Sequence, residues 1–207
     1  MRNIKEEALL WVHVGSIVVI WTGILYLTGS GLAINWEAVK KLPDVVTVYV
    51  ALSYAFAKWL WRWPAFRGWL VPFPDLQGTW QGELASKWLD PLTGQPPPRI
   101  PVVLVIKQSF SSISCVMYTR ESESYSTAAQ MDDATGILRL NYNYTNRPKA
   151  TIRDRSTMHD GAASLRIISL PEIALQGEYW TSRCTTGDLT LKYRSRELID
   201  DFPSWLV

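Results

Sequence analysis

The feature that most limits this chain is a change in the period of its hydrophobic pattern near residue 75. Before that point stand two long apolar runs, and after it apolar and polar residues alternate. Residues 8–27, ALLWVHVGSIVVIWTGILYL, contain no Lys, Arg, Asp or Glu, and a helix needs ~20 such residues to cross a ~30 Å hydrocarbon core. A second run follows Asp44 and continues to Trp61 or Trp63, broken only by Lys58 near its end, where a long side chain reaches the headgroups. Seven of the eleven tryptophans (Trp11, Trp21, Trp36, Trp59, Trp61, Trp63 and Trp69) fall in this first third, several near the ends of the runs, as in an interfacial aromatic belt. The pattern predicts two transmembrane helices.

A cleaved signal peptide is the competing reading of the first run, because Arg2 and Lys5 precede it and Gly31-Leu32-Ala33 offers a cleavage site. The run is longer than a ~7–15-residue signal core, and a second span follows at once. Arg2 and Lys5 before the first span, and Lys58, Arg62 and Arg67 at the end of the second, outweigh Lys40 and Lys41 between them, which predicts cytoplasmic termini. His13 lies only five residues into the first segment, so it reads as interfacial rather than as a buried functional group. Gly15, Val19 and Gly23 share a helix face, and Ala51 and Ala55 form a small-residue pair; such faces let helices approach closely, within a chain or between chains.

Charge divides at the same place as hydropathy. Residues 1–74 hold seven Lys and Arg against four Asp and Glu, and residues 75–207 hold fourteen against fifteen. No sustained basic excess exists for a DNA or RNA polymer.

Residues 64–74, with Pro64, Gly68, Pro72 and Pro74, read as a short stiff junction between a 1–63 membrane anchor and a 75–207 domain. Alternation in that domain predicts eight strands, at 77–86, 100–108, 112–122, 124–131, 136–146, 161–169, 175–184 and 188–195. Turn residues separate most of them, at Asp132-Asp133-Ala134-Thr135-Gly136, Pro171-Glu172 and Thr185-Thr186-Gly187. No helical stripe intervenes, so the strands run antiparallel, and closure into a minimal up-and-down, lipocalin-like barrel removes the edges a sandwich would leave. Cys115 and Cys184 fall on different strands without metal-type spacing and are expected as free thiols.

Alternation also assigns faces. Trp80, between Gly78 and Gly82, is expected to plug the barrel floor; Leu138, Leu140, Tyr142 and Tyr144 point inward, as do Leu175, Gly177, Tyr179, Thr181 and Arg183, and Leu189, Leu191 and Tyr193. Ser122, Glu123, Ser124, Tyr144, Asn146, His159 and Arg183 then share one end, a polar mouth expected to face away from the bilayer. Residues 147–158, RPKATIRDRSTM, add Arg147, Lys149, Arg153 and Arg155 over it. A mouth of Tyr, Ser, Thr, His and Arg suits a ligand with flat rings and negative charge, since tyrosine stacks on bases and arginine forks onto phosphate. Each such residue also has a plain structural role open to it, as rim packing or a surface ion pair. The inward Arg183 is the exception, because a buried charge needs a partner.

Enzyme readings fail on inventory. The chain has two histidines, His13 and His159, with no phosphate loop, no nucleophile elbow and no carboxylate pair placed for acid–base work. The residues alone leave a membrane-anchored, ligand-binding barrel with no cofactor and no ligand named.

The two spans followed by PDLQGTW, Ile106-Lys107-Gln108-Ser109, Ser122-Glu123-Ser124, LNYNYTNRP, His159-Asp160-Gly161 and GEYWTSRCTTGDL resemble one bacterial family: the two-transmembrane, β-strand-rich effectors of CBASS antiphage systems, associated with cyclic-oligonucleotide (CD-NTase) synthases. The resemblance covers essentially the whole chain. It implies a non-enzymatic effector in the bacterial inner membrane. Its barrel would bind a cyclic dinucleotide from the synthase and assemble into homo-oligomers whose helices disrupt the lipid bilayer, an abortive infection. The positions here that fit ligand contact are Arg183, Thr181, Tyr142, Tyr144, Ser122 and Ser124, with His159 and Arg153 beside them. Trp180, expected outward on the same strand, is the candidate oligomer contact. The rival from another class is a constitutive membrane-anchored, lipocalin-like carrier or sensor of an apolar small molecule.

Overall fold

The computed structural model describes residues 6–32, 35–90, 93–133, 136–169 and 172–206, with backbone alone for 6–9. Arg2, Lys5, Ala33, Ala134, Thr135 and Pro171, used above as flanking charges, a cleavage site and turn residues, lie outside the described residues. The chain forms two compact units, divided between Pro74 and Asp75.

In the first unit, α1 (Glu6–Leu27), α2 (Trp36–Lys40) and α3 (Leu42–Lys58) follow one another. Asn35 caps α2, its side chain accepting from the Ala38 N–H at 2.9 Å, a side-chain acceptor for one of the orphan donors at a helix start. Pro43 and Asp44 open α3, where a missing N–H is harmless and a negative charge meets the positive end of the helix dipole. The helices α1 and α3 pack antiparallel. The Trp21 indole donates to the Ala38 carbonyl at 3.1 Å, and the Tyr49 hydroxyl and His13 Nδ1 are hydrogen-bonded at 2.6 Å. His13 is thus tied to α3.

Within α1, Leu10–Leu27 is apolar and long enough to cross a membrane, and it is the one such helix among the described residues. The 17-residue α3 starts before the second apolar run expected from sequence and ends at Lys58, short of Trp61. Val19 on α1 and Val46, Val50 and Tyr54 on α3 are exposed. A Cβ placed on Gly15 or Gly23 would meet nothing within 4 Å, so the α1–α3 pairing does not use the glycine face. After α3, the Lys58 ammonium sits over Trp59 at 4.8 Å. Two 3-10 turns, Leu60–Arg62 and Pro64–Phe66, bury Trp61 against Phe73.

The second unit contains the eight expected strands: β1 (Gly78–Ser86), β2 (Ile100–Gln108), β3 (Ile113–Tyr118), β4 (Ser122–Asp132), β5 (Arg139–Pro148), β6 (His159–Ile168), β7 (Ala174–Thr181) and β8 (Thr186–Ser195). Each pairs antiparallel with the next, and β8 pairs with β1, so the sheet is a closed barrel. Differences lie at strand ends, some strands running longer than expected and β3 and β7 stopping early. β3 stops at Tyr118 because the Thr119 hydroxyl accepts from the Glu121 and Ser122 N–H groups, a turn that competes with strand geometry. β7 stops at Thr181, and β5 continues through Pro148.

The interior follows the predicted alternation. Trp80, Leu104, Ile106, Leu140, Leu165, Leu175, Leu189 and Leu191 are all buried in one cluster. Trp80 is inaccessible and donates to the Leu76 carbonyl at 2.9 Å, while the Leu76 N–H donates to Gln108 Oε1 at 2.7 Å. Every polar group of the floor cluster so named has a partner, as burial requires. Tyr193 departs from expectation: it is 40% exposed. The β1–β8 register shifts between Thr79 and Trp80, and the Tyr193 ring packs edge-on to Trp80 at 5.3 Å, over Gly78, whose φ of +140° excludes most side chains.

A second, smaller cluster was not foreseen. β2 is apolar on both faces, and its outer Val103 and Val105, with Tyr118, are covered by Ile199, Phe202 and Leu206. Arg196 pairs with Asp75 at 2.8 Å, Glu197 accepts from the Thr79 hydroxyl, and the Arg194 guanidinium lies 3.5 Å from the Trp205 ring. The tail thus gives the continuous apolar run of β2 a second dry surface.

Candidate ligand-binding site

The β1–β2, β3–β4, β5–β6 and β7–β8 connections lie at one end of the barrel, opposite the start of β1. Two rows of the strand register end there and bring together residues distant in sequence. One row runs Ser124–Asn146–His159 across β4, β5 and β6, and the other runs Ser126–Tyr144–Gly161–Thr181 across β4 to β7. Ser122, Ser124, Tyr144, His159 and Thr181 therefore meet as expected. Asn146 joins them, donating from Nδ2 to Ser122 Oγ at 3.0 Å and to Ser124 Oγ at 2.9 Å. Ser122 Oγ is also bonded to Thr119 Oγ1 at 3.0 Å, so among these two serines it is the Ser124 hydroxyl hydrogen that a ligand could meet.

Arg183 is misplaced in the sequence reading. It lies in the β7–β8 turn, exposed, not on an inward strand position. Thr181 N–H donates to the Thr185 carbonyl at 2.9 Å, Cys184 N–H to the Thr181 carbonyl at 3.0 Å, and the Thr181 and Thr185 hydroxyls bond at 2.6 Å. Those bonds close the turn three residues earlier than the alternation predicts, with Cys184 at a left-handed φ of 57°. The Arg183 charge therefore needs no buried partner. Its Nη1 donates to Ser156 Oγ at 3.2 Å, and it acts electrostatically on Tyr144, Tyr179 and His159. It stands at the rim over the tyrosines.

The other cations divide. Arg155 pairs with Glu121. Arg153 Nε donates to the Pro148 carbonyl at 3.3 Å and its side chain is exposed beside the mouth. Arg147 faces outward on β5 and stacks at 6.0 Å from Tyr125. Trp180, outward on β7 as expected, is 49% exposed.

Burial sets the protonation of the mouth. Desolvation holds the Tyr144 and Tyr179 phenols above their ordinary pKa, and pushes the Cys115 thiol up to about 12, so all three are neutral donors at neutral pH. Desolvation, with the Arg183 charge assisting, lowers the His159 pKa, against a backbone bond to Thr157 and the Asp160 carboxylate. His159 is thus biased toward its neutral form.

Tyr179, absent from the expected ligand set although its inward parity was legible, stands at the same end of the barrel. It is buried beside Ser86 and neighbours Arg183. The arrangement is a rim of the Arg183 guanidinium, held by Ser156, the His159 imidazole and several hydroxyls above three buried aromatic rings. It can hold an anion at the rim and a planar group below it.

Comparison with known proteins gives the barrel a family. A family model described as the Cap15 cyclic dinucleotide receptor domain matches residues 71–193. Two relatives, each named CD-NTase-associated protein 15, are similar along most of their length. The one from Staphylococcus schleiferi is 28% identical over 159 residues, 77% of this chain and 81% of its own. The one from Escherichia albertii is 27% identical over 150 residues, 70% of this chain and 73% of its own. The barrel with its polar mouth is what the match covers, and the chain belongs to the Cap15 cyclic dinucleotide receptor family of CBASS effectors.

Proposed function

We propose that this chain is a membrane-anchored antiphage effector, not an enzyme, that is switched on when a cyclic dinucleotide from a CD-NTase synthase occupies the barrel mouth. The observation that carries the reading is the meeting of Tyr144, Tyr179, Thr181, His159 and Arg183 at one end of a closed barrel. Arg183, with Arg153 beside it, takes the phosphates; Tyr144 and Tyr179 contact the bases; Ser122, Ser124, Thr181 and His159 supply hydrogen bonds, and Tyr142 lies beneath. Residues 1–63 serve as anchor and effector, 64–74 as linker and 75–207 as sensor.

In this reading α1 crosses the inner membrane and α3 returns, leaving both termini cytoplasmic. Seventeen residues rise about 25 Å, slightly short of the hydrocarbon core, and local thinning and the Lys58–Trp59 collar make up the difference. Ligand binding drives homo-oligomerisation by favouring the assembled state. Trp180 is the contact on the barrel, and the open Gly15–Val19–Gly23 face is the surface on which helices from other copies pack. Clustered helices then breach the bilayer.

The test is dye release from vesicles of bacterial lipid carrying the full chain. Release that follows addition of a cyclic dinucleotide, and that Arg183→Ala abolishes without loss of insertion, supports the reading. Dye release independent of every cyclic dinucleotide, with saturable uptake of a fatty acid, favours the carrier instead.

A further inference from the structure

Tyr142 carries an orphan hydroxyl. The side chain is 3% exposed, and its Oη is inaccessible and has no hydrogen-bond partner among the described residues. It points into the barrel, within the main core cluster. Leaving a buried hydroxyl unpaired is costly, whereas phenylalanine would fill the same space at no such cost. Elsewhere in the barrel the Trp80 indole N–H and Gln108 Oε1 are both paired.

The register shows what surrounds the group. Tyr142 stands between Ala129 on β4 and Ala163 on β6, and Ala163 is followed by Tyr179 and Gly187. Bulky rings thus alternate with small neighbours along this row. On β5, Tyr142 is one inward step deeper than Tyr144, about 7 Å along the strand. No Lys or Arg belongs to the core cluster, so a phosphate at this depth would be desolvated without a counter-ion. A flat, uncharged group would not.

We infer that the Tyr142 hydroxyl is the base-reading contact of the site, donating to the exocyclic carbonyl of one nucleobase that descends past Tyr144 and Tyr179 while its phosphates stay at the rim. The inference rests on the proposed function and names the specificity of that same site. A phenol is a better donor than acceptor, so the group it selects is a keto edge, guanine O6 or uracil O4, over the amino edge of adenine.

The test compares the wild-type full chain with Tyr142→Phe in detergent, by calorimetric titration with cyclic di-GMP, cyclic di-UMP, cyclic GMP–AMP and cyclic di-AMP, and by unliganded melting. Wild type should bind at least one keto-containing ligand more tightly than cyclic di-AMP. Tyr142→Phe should weaken that ligand by about ten- to a hundred-fold, leave cyclic di-AMP unchanged, and melt no lower than wild type. Preference for cyclic di-AMP, or a variant that melts lower and binds its ligand as wild type does, overturns the inference and assigns the hydroxyl a structural role. If wild type binds none of the four, the proposed function fails with it; if wild type binds and Tyr142→Phe binds equally, only the base-reading role fails.

Discussion

Tyr144 lies directly over Gly161. A Cβ at residue 161 would fall 2.5 Å from both Cζ and Oη of the tyrosine, and 2.7 Å from the Trp180 carbonyl oxygen. The same relation recurs between Tyr179 and Gly187, with 2.6 Å to the ring. The two mouth tyrosines are thus parked against the wall on glycines, one strand over in each case, and that placement keeps the rings beside the mouth's axis.

Gly161→Ala should therefore push the Tyr144 ring toward the centre of the mouth. Overpacking of this kind costs about 1–3 kcal/mol, read as a lower midpoint in urea, and ligand affinity should fall with it. In a Tyr144→Ser background the added cost of Gly161→Ala should shrink only in part, because the Trp180 carbonyl is backbone and cannot yield. Its complete disappearance would show that the tyrosine alone sets the constraint.

Arg183→Ala isolates the rim charge. The residue is exposed and, among the described residues, its side chain is bonded to Ser156 alone, so the unfolding free energy should change by no more than about 0.5 kcal/mol. Affinity for the activating dinucleotide should drop at least tenfold, as expected when a charge-assisted contact is removed. A variant that binds normally removes Arg183 from the site.

Expectation and structure part company here for an identifiable reason. The alternation of Leu175, Gly177, Tyr179 and Thr181 was legible and is borne out by burial, as were the barrel and the tyrosines of β5. Arg183 continued the same parity on paper, yet threonine hydroxyls at 181 and 185 close the turn first, and period alone carries no signal for that. The glycine–tyrosine pairings and the Ser124–Asn146–His159 row depend on cross-strand register, which a single sequence leaves open. The apolar tail of β2 was visible as a run, but its cover by Ile199 and Phe202 required knowing that the chain turns back.

His159 should make ligand binding pH-dependent. Its pKa in the unliganded barrel is lowered, chiefly by burial and next by Arg183, with Asp160 opposing. For folding, a depressed histidine contributes stability that is present above its unfolded value and lost as pH falls through the folded one. For binding, a phosphate at the rim raises the pKa again, so protons are taken up and affinity should increase as pH falls from 7.5 to about 5.5. Titrations across that range should show the slope in wild type and a flat profile in His159→Gln. An equal slope in both would assign the proton elsewhere.

Trp80→Ala tests the floor. It removes a fully buried indole and its bond to the Leu76 carbonyl, and large-to-small changes of that kind cost about 3–5 kcal/mol. Chemical denaturation should report a loss of that order. A loss below about 1 kcal/mol would mean that the floor repacks, and that Trp80 does not organise the barrel.

The most direct test of the account is calorimetric titration of the full chain, in nanodiscs, with a panel of cyclic dinucleotides alongside their linear counterparts. The account predicts saturable binding of at least one cyclic member at micromolar concentration or below, weakened by Arg183→Ala, with no comparable binding of its linear form. A chain whose circular dichroism shows the folded barrel, yet which binds no member of the panel, would contradict it.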